Sequence, residues 1–297
     1  MLPTPREAWY IHFYLWVAPK SRASAGITVD RLKSSFEAVH RRGATGIIPF
    51  LTVGFPSVGE TLVLVSALVE GGADVIELGV PFSDPLADGP TIQRASFHAL
   101  AQGVTLGTCL HVCQQLRSTG VETPLVLMGY YNPILSYGLE RFALDARDAG
   151  VDGVIVADLP SEESGPLQSA CRPHQIHLIP LLAPTSTDVR IARACEKAGG
   201  FVYCISLTGV TGVRQDLPPG IPALTQRVRK HTRLPLAMGF GISQRRHVEA
   251  LAPWAEAAVV GSALIEVIEK TPAEKRPRAV REFVAGLGGV IPTHGRE

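Results

Sequence analysis

The chain has 297 residues, 46% of them hydrophobic and 19% charged, a balance that supports a sizeable globular core. Lys and Arg number 28 against 27 Asp and Glu, so the formal net charge is +1 and no charge excess directs the chain to nucleic acid or to a membrane surface. The five cysteines (Cys109, Cys113, Cys171, Cys195 and Cys204) include no CxxC pair and no Cys/His set at zinc spacing, and they read as packed thiols of a reducing cytoplasm.

Taken in chain order, residues 1–26 stand apart. Their apolar run at 8–18 contains His12 and is too short to span a bilayer. With Arg6 and the following SRASAG it resembles a poor signal peptide, and the segment is expected to be a dispensable extension. An amphipathic stretch at 30–42 then precedes the first strand, where it could close the bottom of a barrel. Strands are predicted at 47–53, 75–78, 125–128, 154–157, 177–181, 201–205, 236–240 and 257–260. They are continuous apolar runs, as in a parallel sheet covered on both faces. Helical patterns lie between them. A capping box of Ser57 and Glu60 opens 61–70; 91–101 and 105–117 follow the second strand; 139–149 stops at Gly150. Further patterns are 162–171 before Pro173, 186–198 before Gly199-Gly200, 247–251 capped by Ser243, 262–269, and 278–285. Eight strand–helix units make the fold class α/β. They fit a single (β/α)8 TIM barrel over 27–287, with a tail at 288–297; a doubly wound open sheet is the structural rival.

Barrels of this kind carry their chemistry at the C-terminal ends of the strands. Glu77 lies in the apolar context VIELGV at the end of the second strand, facing either the helices or the barrel mouth. Burial there would raise its pKa and suit it to proton transfer. Asp88 follows eleven residues on in a proline-rich loop. The structural alternative is that Glu77 satisfies a buried backbone group and that Asp88 caps the helix starting near Thr91. The loop SLTGVTGVR at 206–214 is small enough to close over a substrate. Gly239 to Ser243 and Gly261-Ser262 follow the last two strands, where backbone N–H groups favour phosphate. Phe50, Met128, Tyr130, Tyr131, Leu181, Tyr203 and Phe240 are either walls for a flat apolar ring or barrel packing.

The segment IELGVPFSDPLADGPTIQRA at 76–95 resembles the signature of the tryptophan synthase alpha subunit family. IPFLTVGFP at 48–56, LMGYYNPIL at 127–135, VADLPSEES at 156–164, SLTGVTGVR, GFGIS at 239–243 and GSALIEVIE at 261–269 agree in order and spacing. The resemblance implies a cytoplasmic enzyme of tryptophan biosynthesis that cleaves indole-3-glycerol phosphate to indole and glyceraldehyde 3-phosphate. It assigns Glu77 as the acid/base, Asp88 as the group that stabilises the indole N1–H, and Tyr203 as the tyrosine contacting the glutamate. It places Gly212, Gly241, Gly261 and Ser262 on the phosphate, and Thr211 in the mobile loop. Phe50, Met128, Tyr130, Ala157, Leu181 and Phe240 would line the indole pocket. It further implies no metal and no cofactor in this chain, pyridoxal phosphate only in a beta subunit, and an alpha2beta2 complex reached through Pro81 and Asp84. Phe55, Met128 and Leu207 depart from residues common in the family, which bears on loop closure and coupling. A free-standing indole-glycerol-phosphate lyase, a non-catalytic regulatory subunit and a phosphosugar isomerase barrel are the alternatives.

Overall fold

A computed structural model describes residues 30–205, 218 and 220–288; the expectations for residues 1–26, for 206–214 and for most of the tail lie outside the described residues. All nine described strands are parallel: β1 (Gly46–Thr52), β2 (Ile76–Gly79), β3 (Leu125–Gly129), β4 (Gly153–Val156), β5 (His177–Leu178), β6 (Leu181–Leu182), β7 (Val202–Ile205), β8 (Leu236–Gly239) and β9 (Ala257–Val260). The order across the sheet is β5-β4-β3-β2-β1-β9-β8-β7-β6. The fifth predicted strand is therefore split in two. Ile179 N–H donates back to Val154 O at 2.9 Å, whereas Pro180 O accepts the Tyr203 N–H at 3.0 Å. Proline has no N–H to continue the first ladder, so the chain changes partner there. The curled sheet thereby closes on itself through Ile179 and Pro180.

Period-two alternation sorts the side chains. Ile48, Val75, Val126, Ile155, Phe201 and Ala237 point inward and form one cluster. Ile47, Ile76, Leu78, Leu125 and Val154 point outward into the larger core beneath the helices. The helix Arg31–Arg42 plugs the bottom of the barrel as its amphipathic pattern predicts. Asp30 caps it by accepting the Lys33 N–H at 3.0 Å, and Gly43 ends it at φ 61. Its Leu32 and Phe36 join the inner cluster, with the Phe36 ring 5.5 Å from that of Phe201.

Three carboxylates stitch the floor of the barrel. Asp74, Asp152 and Glu256 each precede a strand and accept the N–H at or near the start of the neighbouring one: Ile47 at 2.9 Å, Leu125 at 2.8 Å and Leu236 at 2.7 Å. Each also holds an arginine, Arg42, Arg117 and Arg229 respectively.

Local expectations differ from the structure in two caps. Ser57 accepts the Glu60 N–H at 3.2 Å at the head of the helix Val58–Glu70, but the Glu60 carboxylate pairs with Arg276 at 2.7 Å instead of closing the box. A strong cation within reach outcompetes the backbone N–H. Ser243 does not cap the helix Arg245–Leu251; Gln244 stands at that position, and the Ser243 N–H donates to His247. The helices Tyr131–Tyr137 and Gly220–Arg229 were not foreseen, since each is short and opens without a Ser, Thr, Asp or Asn cap in the sequence.

Candidate active site

Glu77 sits in β2 between the outward-facing Ile76 and Leu78, so strand alternation turns it into the barrel. Its register partners are Phe50 on β1 and Val126 on β3. It is 1% exposed, and neither carboxylate oxygen has a hydrogen-bond partner among the described residues. The reading in which it satisfies a backbone group is therefore ruled out. Burial, reinforced by the charge of Asp88, pushes its pKa up to about 8.

Asp88 is half-buried in the loop that leaves β2. It does not cap the helix Pro90–Ala101, whose cap is Gly89 with no side-chain bond. Burial raises the Asp88 pKa to about 6, against the pull of a hydrogen bond from Tyr130. The loop is sewn down along its length. Ser96 Oγ accepts the Phe82 N–H at 3.0 Å, Gln93 donates to Asp88 O at 2.9 Å, and Tyr130 Oη accepts the Ala87 N–H at 3.0 Å. The rings of Phe82 and Tyr130 lie 5.0 Å apart.

Tyr203 faces the same interior from β7, buried, with its phenol pKa raised well above the ordinary value by burial and then by Glu77 and Asp88. It keeps its proton and stands within the field of both carboxylates. Gly239 leaves room for the phenol, since a Cβ there would lie 2.7 Å from Tyr203 Oη. Gly79 makes the same room for Phe50, whose ring would be 2.5 Å from a Cβ there. Phe50, Met128, Tyr130 and Asp88 line one small cavity. Ala157 and Leu181 instead line a second cleft of about 260 Å³, although Leu181 also packs on the inner cluster.

Of the expected phosphate positions, Gly241 follows β8, and Gly261 and Ser262 follow β9, at the C-terminal ends of those strands. Gly241 has φ 83 with open space around it. Gly261 precedes the helix Ser262–Lys270 and lies against Phe50, a Cβ there being 3.7 Å from that ring. The first N–H groups of this helix have no acceptor within it and carry its positive end. Gly212 and Thr211 lie outside the described residues. Pro81 is buried at the base of the second loop, and Asp84 is exposed, accepting a hydrogen bond from Ser83 Oγ at 2.5 Å.

Sequence reasoning missed Thr52, an inward residue of β1 whose buried hydroxyl has no partner among the described residues and which lines the Phe50 cavity. It also missed Gln93 and Ser96, which anchor the Asp88 loop. Those two are polar at i and i+3 of one helix, a spacing that marks a shared face and was available in the sequence. Among the described residues no group of three or more His, Cys, Asp or Glu is placed to hold a metal ion, and no helix is long and apolar enough to cross a membrane.

Comparison with known proteins gives a consistent result. The family model described as tryptophan synthase alpha chain matches residues 36–287. The tryptophan synthase alpha chain of a Roseiflexus species is 49% identical over 261 residues, covering 88% of this chain and all of that protein. Among solved structures, tryptophan synthase subunit alpha of Legionella pneumophila superposes with a TM-score of 0.81 at 35% identity, over 90% of this chain and 100% of that one. A chain of the tryptophan synthase complex of Pyrococcus furiosus gives 0.76 at 37% identity, over 83% and 98%. The closed parallel barrel, the inward carboxylate and these matches lead to one assignment: the chain belongs to the tryptophan synthase alpha chain family, lyases of tryptophan biosynthesis.

Proposed function

We propose that Glu77 and Asp88 carry out the reaction of this family, the cleavage of indole-3-glycerol phosphate to indole and glyceraldehyde 3-phosphate. The observation that carries the residue roles is the pair itself. One buried carboxylate has both oxygens unpartnered among the described residues and a pKa of about 8, and the neighbouring one has a pKa of about 6. Near neutral pH the first holds a proton and the second is largely an anion, which is how two like groups divide acid from base.

In this reading Glu77 delivers its proton to C3 of the indole ring, giving an indolenine. Asp88 accepts the N1–H and stabilises the positive charge that develops there. The carboxylate of Glu77 then takes the proton of the 3′-hydroxyl as the C3–C3′ bond breaks, and the bond's electrons return to the ring. The protonated ring is the electron sink, so the chemistry calls on no organic cofactor in this chain. Tyr203 packs beside the glutamate; Phe50, Met128 and Tyr130, which share one cavity, are assigned to the ring, and Ala157, Leu181 and Phe240 join them by the family's pattern; Gly241, Gly261, Ser262 and Gly212 are assigned to the phosphate, with Thr211 in the closing loop.

Members of this family work with a beta subunit, and a structural neighbour comes from a tryptophan synthase complex. We assign the partner surface to the loop bearing Pro81 and Asp84, an alpha2beta2 assembly, pyridoxal phosphate to the beta chain alone, and a cytoplasmic location. The family match over 36–287 supports 27–287 as the catalytic unit, with 1–26 dispensable. The test is indole release from indole-3-glycerol phosphate by the purified chain, alone and with a cognate beta subunit. Slow release that rises sharply with beta is expected. Fast release indifferent to beta would replace this reading with a free-standing lyase, and no release in either case would remove catalysis.

A further inference from the structure

His247 is buried, 7% exposed, on the short helix that follows β8. Its Nδ1 lies 3.3 Å from the Ser243 backbone nitrogen. A backbone N–H can only donate, so Nδ1 is bare and the neutral ring carries its proton on Nε2. The same ring faces that of Phe240, with centroids 6.3 Å apart and planes inclined by 51°. One side chain therefore touches both flanks of the turn from Gly239 to Ser243. Between the two contacts lies Gly241, at φ 83 and with open space around it. A glycine in the left-handed region has wide backbone freedom, and no described residue packs where its side chain would be.

We propose that His247 is a positioning residue for the phosphate end of the substrate site. It fixes the turn so that the Gly241 N–H faces the phosphate monoester while Phe240 faces the ring. This inference rests on the assignment of the site to indole-3-glycerol phosphate. The Ser243 N–H, committed to His247, is then a strut of the turn and not a ligand donor.

Two substitutions separate the two contacts. His247→Phe keeps a ring against Phe240 and removes the acceptor. His247→Asn removes the ring and returns an acceptor oxygen close to the place of Nδ1. The readouts are KM and kcat for indole release in the presence of the beta subunit, and the dissociation constant for inorganic phosphate followed by NMR titration. Loss of the part-buried bond from Ser243 N–H in His247→Phe is expected to raise both KM and the phosphate dissociation constant about tenfold, with kcat within about twofold. His247→Asn is expected to bring phosphate binding back to within about threefold of the parent chain. A fall in kcat at unchanged KM, unchanged phosphate binding in His247→Phe, or no recovery in His247→Asn would overturn the proposal. If His247→Phe does not fold, His247→Asn decides alone: phosphate binding weakened by more than about tenfold overturns it. A parent chain that binds phosphate but releases no indole would strike the assigned reaction and leave the phosphate role of His247 standing; a parent chain that binds no phosphate would overturn this inference.

Discussion

Glu77 is the residue on which protonation and function meet. Its oxygens are shut away from water with no donor among the described residues to replace it, so the charged form is disfavoured and the proton is retained to about pH 8. Asp88, partly open and bonded by Tyr130, releases its proton at about pH 6. The proposed reaction uses Glu77 protonated and Asp88 ionised, so kcat/KM should fall below about pH 6 and above about pH 8, as a pH profile would read. Glu77→Gln should lower turnover by about a thousandfold while changing substrate binding little; turnover within tenfold of the parent would remove the assignment. The raised pKa also has a stability consequence. The folded state binds the Glu77 proton more tightly than the unfolded state does, so between the ordinary 4.5 and about 8 stability declines as pH rises. Glu77→Gln, which carries no charge, should therefore be more stable than the parent at pH 9 by a margin on the order of 3 kcal/mol, shrinking as pH falls toward 5. Denaturant titrations at the two pH values would show it. Tyr130 offers a separate handle. Its hydroxyl accepts the Ala87 N–H and lowers the Asp88 pKa, so Tyr130→Phe should shift the acid limb of the pH profile upward and leave the alkaline limb in place. An unmoved acid limb would mean that the phenol does not govern Asp88.

At the scale of elements, the strands were readable because each is apolar on both faces. The inner faces meet one another and the outer faces meet helices, so no polar face interrupts the runs. The direction of Glu77 follows from the same alternation once Val75 is known to point inward, but a short apolar run alone does not say which parity is which. The split at Pro180 was in the sequence as a proline inside a predicted strand, a known sign of interrupted pairing. Ser243 stands one residue ahead of the cap and bonds His247 only four residues on, whereas Glu60 defeated the local rule because its partner, Arg276, arrives from tertiary folding. Thr52 was invisible for the same reason, its importance resting on what its hydroxyl fails to meet. The roles of Glu77, Asp88 and the glycines came from the resemblance and not from spacing. The three floor carboxylates were also unforeseen, although each is an acid just ahead of an apolar strand. In the Asp152 clasp the carboxylate holds the Leu125 N–H, Arg117 at 2.6 Å and Arg31 at 3.3 Å while itself nearly buried. Removing one partner leaves a buried charge, a larger loss than the pair's net worth. Arg117→Met should cost about 3 kcal/mol in chemical denaturation, and a loss below about 0.5 kcal/mol would reduce the clasp to a surface ion pair.

Across the whole molecule, one loop joins the chemistry to the exterior. It starts at Gly79 beneath the Phe50 ring, passes the buried Pro81, emerges at Asp84 and at Leu86, which is 94% exposed, and returns to Asp88 in the barrel mouth. A partner seated on its outer half acts on the catalytic half through only a few residues of chain. The inner half has side-chain anchors of its own besides the Asp88 N–H bond to Pro85 O at 3.0 Å. The Phe82–Ser96, Asp88–Gln93 and Ala87–Tyr130 bonds hold it, whereas the Asp84 side chain bonds, among the described residues, only the neighbouring Ser83. Deleting the Asp84 carboxylate should thus leave Asp88 where it is and remove a charge from the surface assigned to the beta subunit. Asp84→Ala is expected to keep basal indole release within about twofold and to reduce its stimulation by beta about tenfold or more, since truncating one member of an interface charge pair chiefly strips binding and coupling. Titrating beta into both proteins separates the cases. A stimulated rate that recovers at high beta concentration means that Asp84 supplies affinity, and a rate that stays low at saturation means that it transmits the closed state to the loop. An equal loss of basal and stimulated rate would place Asp84 in the support of Asp88 and move the partner surface elsewhere on the molecule.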